Sequence, residues 1–396
     1  MSQPTSDSET NPVADRTRGR SADPGLELRT VQNRADLKLF IDLPYRLHSA
    51  EPFFVPPLRF DQKRRLDRKS NPFFRHSEAE YFLALRSGRV VGRIAAIDYK
   101  PHREIHGENV GFFGWFECID DQAVADRLFE TAAAWLAARG IGAMRGPASF
   151  CMNDEVGVLV EGYEVLPSLL TPWNPPYYEA LMTGWGLAKV MDLVSFALPV
   201  ASYDHERLGR IVDRITRRAN MRLRRFDLAN FDREVEHFKR LYNDAWNDNW
   251  GFVGLTDAEI DHMAKDLKPL IEPKLAHFVE VDGEPVGFAL VLPDLNQILK
   301  GLRGRLFPFG IFKLLFGLKR VSRIRLLAMG VRRDFHRSGL DSVLYHASYL
   351  GARELGKVES ELGWVLESNT VMITTIEKVG GRRHRTHRLL EKALSA

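Results

Sequence analysis

Cysteine is nearly missing: Cys118 and Cys151 are the only two in 396 residues, and their separation matches no metal-binding spacing. One disulfide is the most they could form, and two lone thiols in a chain of this size suit a reducing cytosol. No HExxH and no paired CxxC occurs, and His384 and His387 alone do not make a metal site, so no metal is expected. Long hydrophobic runs are missing too. A spanning helix needs roughly 18 apolar residues or more, and the nearest approach, "LFPFGIFKLLFGL" at 306 to 318, is too short and has basic flanks. The first 25 residues carry almost no large apolar residue. They are predicted to be a disordered tail with no signal-peptide core. Charge of one sign is also lacking: 56 basic residues against 52 acidic leave a net charge of +4, so any anionic partner must be met by local clusters. The basic C-terminal stretch "GRRHRTHRLLEK" (Arg382, Arg383, Arg385, Arg388) has no interleaved aromatic readout. It reads as an outer strand face, and no nucleic acid is expected.

What the chain does hold is ordinary globular composition, 44% hydrophobic and 27% charged, and length for two domains. It also holds a repeat. Gly88 and Gly92 sit in "FLALRSGRVVGRIAAI", and Gly283 and Gly287 in "FVEVDGEPVGFALVL"; Asn174 and Gly186 bound "NPPYYEALMTGWG", as Asn369 and Gly381 bound "NTVMITTIEKVGG". Each pair lies 195 residues apart. Both halves read in one order: a short strand, one or two helices, a hairpin, a third strand (109 to 117; 323 to 330), a helix (121 to 139; 340 to 355), a strand, a helix starting at the Asn, and a closing strand. That order predicts an α/β (α+β) fold, each half a mixed central sheet flanked by helices. The predicted boundaries are 26–200, a linker or helix at 201–222, and 223–396. The halves differ by inserts at 147 to 170 and 297 to 322.

The residues resemble the GNAT acyltransferase superfamily in tandem. "RIRLLAMGV" followed by "RRDFHRSGLDSVLYHASYLGARELG" is similar to the family's acyl-CoA pyrophosphate strand, loop and helix, and "VLESNTVMITTIEKVGG" to its next strand and helix. The first half keeps the pattern, but "FFGWFECIDDQAVADRLFETAAAW" has no Gly-rich turn, so it resembles a degenerate half. More narrowly, "GPASFCMNDEVGVLVEG", "TPWNPPYYEALMTGWGLAKVMDL", "YNDAWNDNWGFVGLT" and "LPDLNQILKGLRGRLFPFGIFKLL" resemble a bacterial tandem-GNAT subgroup, the ceramide synthases, which N-acylate a long-chain base. The resemblance implies an acyl thioester donor, acyl-CoA or acyl carrier protein, and an amine-bearing lipid acceptor. It implies a thioester bound along Met329, Val331, Arg333, His336, Arg337, Ser338, Gly339 and Leu340.

Backbone N–H groups at a helix start satisfy phosphate oxygens. Gly339 and three arginines favour that use here, while Asp341 places a carboxylate where phosphate would lie. The acidic run Asn153, Asp154 and Glu155 is a candidate for amine deprotonation, or a plain turn. Asn174, Tyr177 and Tyr178 open a helix and are candidate substrate contacts, or core. The family's thiolate-protonating Tyr position holds Ile376, leaving His336, Glu367 and Asn369 as neighbours, with Asn369 equally a helix cap. Trp246, Asn249 and Trp250 line an alkyl channel or belong to the core. Residues 297 to 322 mix bulky apolar side chains with Lys and Arg, which suits an anionic membrane surface or a hairpin packed on its own domain. The expectation is a cytoplasmic N-acyltransferase, peripheral to the inner membrane. Its rivals are a silent module binding an acyl ligand or partner protein, and a short-chain transferase acting on a small soluble amine.

Overall fold

The computed structural model describes residues 25–217 and 220–394, so the predicted tail lies outside the described residues except for Gly25. The first half runs β1 (Leu26–Thr30), α1 (Arg34–Leu47), α2 (Arg59–Arg65), β2 (Glu78–Arg86), β3 (Arg89–Asp98), α3 (Lys100–His106) and β4 (Val110–Cys118). It continues with α4 (Gln122–Ala137), β5 (Ala143–Gly146), β6 (Val158–Glu161), α5 (Tyr177–Gly184) and β7 (Ala188–Pro199). Helix α6 (His205–Thr216) links it to β8 (Met221–Arg225), α7 (Phe231–Trp246), α8 (Asp257–Leu267), β9 (Ala276–Val281) and β10 (Glu284–Pro293). Then follow α9 (Asn296–Leu302), α10 (Gly310–Gly317), β11 (Arg323–Val331), α11 (Leu340–Glu354), β12 (Glu359–Leu366), α12 (Thr370–Lys378) and β13 (Arg382–Ala393). The inserts account for β6 in the first half and for α9 and α10 in the second.

Local chemistry sets the helix starts. Asn33 Oδ1 accepts from the N–H groups of Ala35 and Asp36 at 2.9 and 3.0 Å, and Thr256 with Glu259 forms a reciprocal cap on α8. Strand β3 is buried at every position after Arg89. It is antiparallel to both neighbours, yet reads as a continuous apolar run because α1 covers one face and α4 the other. In the second half α7 and α8 cover one face of the sheet and α11 the other.

All the strands join one sheet, in the order β1-β2-β3-β4-β5-β13-β7-β12-β11-β10-β9-β8, with β6 pairing β13. The halves exchange their closing strands. β13, from the second half, lies antiparallel to β5 with Leu390 opposite Gly146. β7, from the first half, lies antiparallel to β12 with Phe196 opposite Leu362, and the two exchanged strands pair with each other.

This placement corrects two sequence expectations. The basic strand is central, not an outer face: Arg385 is buried against Glu361, and Arg388 is held by Asp192 at 2.8 Å and Glu179 at 2.6 Å. Helix α5 starts at Tyr177 and not at Asn174. The Asn174 side chain is spent instead on the edge of β6, where it accepts from the Leu159 N–H at 2.7 Å.

Candidate functional site

Strand β11 pairs with β12 in parallel only from Arg323 to Leu326, against Glu359 to Leu362. Beyond that the two diverge, while β10 stays paired to β11 as far as Val331. The ladder also slips at Leu290 and Val291, which leaves Leu327 as an extra residue. A bulge of this kind bends a strand and re-aims its neighbours. The result is a gap in the sheet that opens a chamber of about 220 Å³. Its walls are Leu326 to Met329 of β11 and Leu362 to Leu366 of β12, with Phe238, Tyr242 and Trp246 of α7 on one face and Tyr345, Met372 and Ile376 of α11 and α12 on the other. Asn249 and Trp250 close the α7 side. Trp246 Nε1 donates to the Met329 carbonyl at 3.2 Å, which fixes that ring over the open strand.

The first half reaches into this chamber. Its loop after β5 brings Met152, Asn153 and Asp154 to the wall. Asn153 is clamped at both ends, donating to the Val253 carbonyl at 2.9 Å and accepting from the Tyr242 hydroxyl at 3.0 Å. Asp154 keeps 33% of its side-chain surface open, with Arg65 at 3.3 Å. Desolvation by the chamber walls outweighs the attraction of Arg65 and pushes the Asp154 carboxyl up to about 6. A carboxylate with that affinity for protons is suited to take one from an amine near neutral pH. The Cys151 thiol lies 3.6 Å from Asp154, and burial raises it well above the ordinary thiol range, so it stays protonated. Glu155 pairs with Arg65 at 3.5 Å and is not among the residues lining the chamber.

At the far end of β11 the chain makes a short turn into α11. Arg337 and Gly339 both have positive φ, +63° and +87°. At Gly339 a Cβ would stand 2.7 Å from Ile215 of α6, so space as well as backbone favours glycine. No side chain caps α11, although the Leu340 N–H lies 3.4 Å from the Ser338 hydroxyl. His336 is tied to the Val331 carbonyl at 3.0 Å. Arg332 and Arg333 are engaged by Asp334 and Asp248 at 2.7 and 2.8 Å, while Arg337 is exposed and forms no ion pair among the described residues.

The structure thus gathers Asn153, Asp154, Trp246, Asn249, Trp250, Met329 and Asn369 around one chamber. Asn369 also caps α12, accepting from the Met372 N–H at 3.1 Å. Glu367 lies outside, bonded to the Asp192 N–H and to Lys189 at 3.0 and 2.7 Å. Tyr177 and Tyr178 lie at the corresponding strand of the first half: the Tyr177 hydroxyl donates to the Cys118 carbonyl at 2.8 Å, and the Tyr178 hydroxyl accepts from the Cys118 N–H at 3.0 Å. Cys118 stands opposite Gly92 as Val331 stands opposite Gly287, so the two tyrosines occupy the end of the strand equivalent to β11. Arg325, Tyr242 and Tyr345 are among the chamber residues that the sequence did not single out. Helical spacing with Trp246 and Phe238 was the signal available for Tyr242.

No protein-family model matches the chain. It is 38% identical over 387 residues to the bacterial ceramide synthase of Caulobacter vibrioides, covering 94% of this chain and 99% of that protein. It is 33% identical over 376 residues to the protein YghO of Escherichia coli, covering 93% and 95%. Among solved structures, a tandem GNAT protein from the clavulanic acid biosynthesis pathway superposes with a TM-score of 0.57 at 13% identity, covering 94% of this chain and 99% of that one. A GCN5-related N-acetyltransferase from Sphaerobacter thermophilus gives 0.53 at 12%, covering 95% and 98%. Those two likenesses concern the fold, while the ceramide synthase match extends along nearly the whole sequence. With that match along nearly the whole chain and with this tandem fold, the protein belongs to the tandem GNAT acyltransferase family, in the bacterial group that includes the Caulobacter ceramide synthase.

Proposed function

We propose that the protein is an N-acyltransferase that moves a long-chain fatty acyl group from an acyl thioester to the amine of a lipid such as a sphingoid base. The observation that carries this reading is Asp154, supplied by one half and set in a largely apolar chamber that opens on the unpaired edge of β11 in the other. The thioester, as acyl-CoA or acyl carrier protein, lies along that edge, its phosphates toward Ser338, Gly339 and Leu340. The amine enters from the side of α7. Its nitrogen attacks the thioester carbonyl, the C–N bond forms, the C–S bond breaks, the proton passes to Asp154 and the thiolate leaves. Direct attack relies on holding both reactants together and needs no covalent enzyme intermediate. The first half serves as scaffold and donor of Asn153 and Asp154, its own gap being taken by Tyr177 and Tyr178.

The α9–α10 hairpin supports a lipid acceptor. Phe307, Phe309 and Phe316 are each more than 70% exposed, and Lys313, Lys319 and Arg320 lie among them. Exposed aromatics mixed with cations suit the surface of an anionic membrane.

Purified full-length protein, given long-chain acyl-CoA and a sphingoid base, is expected to release free thiol and to form the matching amide, read by mass spectrometry. Absence of both, together with unchanged amide-linked lipids in cells lacking the protein, would overturn the proposal and favour a silent acyl-binding module.

A further inference from the structure

The chamber has a side arm. A smaller cavity of about 40 Å³ lies between α7, α8 and strands β9 and β10. Phe238, Met263 and Leu290 line both spaces and so stand between them. The arm is too narrow for a headgroup, and its walls are hydrocarbon apart from His277, which burial pushes down to about 4 and so keeps neutral. Apolar cavities of this kind stay dry and take apolar guests. Helix α7 sets the direction. Val235 faces the arm, Phe238 the partition, and Tyr242 and Trp246 the chamber. From Val235 to Trp246 that stripe extends roughly 16 Å at about 1.5 Å per residue, and it ends at the Met329 carbonyl.

We infer that this arm receives the distal end of a linear alkyl chain whose reactive end lies beside Asp154, with Phe238 and Met263 as the displaceable gate that sets chain-length preference. The inference rests on the acyl-transfer reading for the identity of the reactive end, but the arm itself is testable by binding alone. Two chains could fill it, that of the acyl donor or that of the amine.

Ala264 and Leu267 line the arm from α8 and do not touch the chamber. Ala264→Phe and Leu267→Phe should each fill it, with Ala264→Leu as a milder substitute if either fails to melt cooperatively. Binding of cis-parinaric acid, followed by its fluorescence, is expected to weaken about tenfold, the loss of roughly two buried methylenes. Unchanged affinity in two folded variants overturns the inference. Two rate series then identify the chain: acyl-CoAs of increasing length with one amine, and amines of increasing length with one acyl-CoA. The series whose optimum moves to shorter chains in the variants is the one that occupies the arm. If wild-type protein transfers no acyl group at all, the function proposed above falls, and the parinaric acid result still decides the arm.

Discussion

At the scale of single residues, three adjacent polar side chains have three different fates. Asn153 is locked between Val253 and Tyr242, Glu155 is turned to Arg65, and Asp154 alone presents a carboxylate to the chamber with its proton affinity raised. Asp154→Asn is therefore expected to lower kcat by about 10²–10⁴-fold, the usual worth of a general base, with little change in KM. Glu155→Gln should stay within a few fold. In the wild type, kcat/KM should rise with pH through about 6 and then level. The stability effect has the opposite sign: a carboxyl whose folded value lies above its unfolded one favours folding at low pH, and that contribution is lost as pH rises past about 6. Asp154→Asn should thus raise the melting temperature at pH 8 even as it slows turnover. A wild-type rate in the variant, or a flat pH profile, would remove Asp154 from the mechanism. The run Asn153 to Glu155 was legible in the sequence as a candidate because acidic residues cluster after a strand. Which of the three carboxylate and amide side chains line the chamber was not, because most of the chamber walls come from the second half.

At the scale of elements, the two inserts differ in how they were legible. In 297 to 322 two short helices form, α9 ending at Leu302 and α10 beginning at Gly310, with Pro308 between them. Composition alone marked this segment, because large apolar residues that a domain core does not absorb must face something else. Replacing Phe307, Phe309, Phe312 and Phe316 with Ser should cut binding to vesicles rich in anionic lipid by at least a hundredfold, since each buried aromatic contributes on the order of 1.5 kcal/mol or more. Wild-type binding should also weaken with added salt. Equal sedimentation of the variant with vesicles would show that the hairpin serves packing alone. The later part of the first-half insert was opaque. Its stretch before α5 is held through main-chain carbonyls: Arg385 donates to Val165 at 2.9 Å, Arg323 to Leu166 at 2.9 Å, and His387 to Pro172 at 3.0 Å. These acceptors are backbone and their donors come from the other half, so the insert's side chains encode little of the contact beyond Ser168, whose hydroxyl donates to Glu361. Arg385, one of those donors, is also one of the arginines that made β13 look like a solvent-facing basic strand.

At the scale of the whole molecule, the 195-residue repeat made the element order readable but concealed the pairing. Alternation along a strand tells which face is buried, not which strand is adjacent. Exchange of β7 and β13 follows from a choice between chemically similar edges that only the assembled sheet makes. Its energetic weight is considerable. Leu389 and Leu390 of β13 are fully buried between β5 and β7, and burying such side chains is worth about 1.5–3 kcal/mol each, against the total of about 5–15 kcal/mol that keeps an ordinary domain folded. A separated first half would expose the edge of β5 and leave β7 without β12; a separated second half would leave β13 unpaired, an open invitation to aggregation. Splitting the chain between α6, which ends at Thr216, and β8, which begins at Met221, should therefore give fragments that are insoluble, or form exchanged homodimers, when made alone. Made together, they should copurify as a one-to-one complex, melt as one unit and regain acyl transfer, because Asp154 and the open β11 edge lie on opposite fragments. A second-half fragment that is monomeric and melts cooperatively at the temperature of the intact protein would show that the exchanged strands contribute little, and that each half is a domain in its own right.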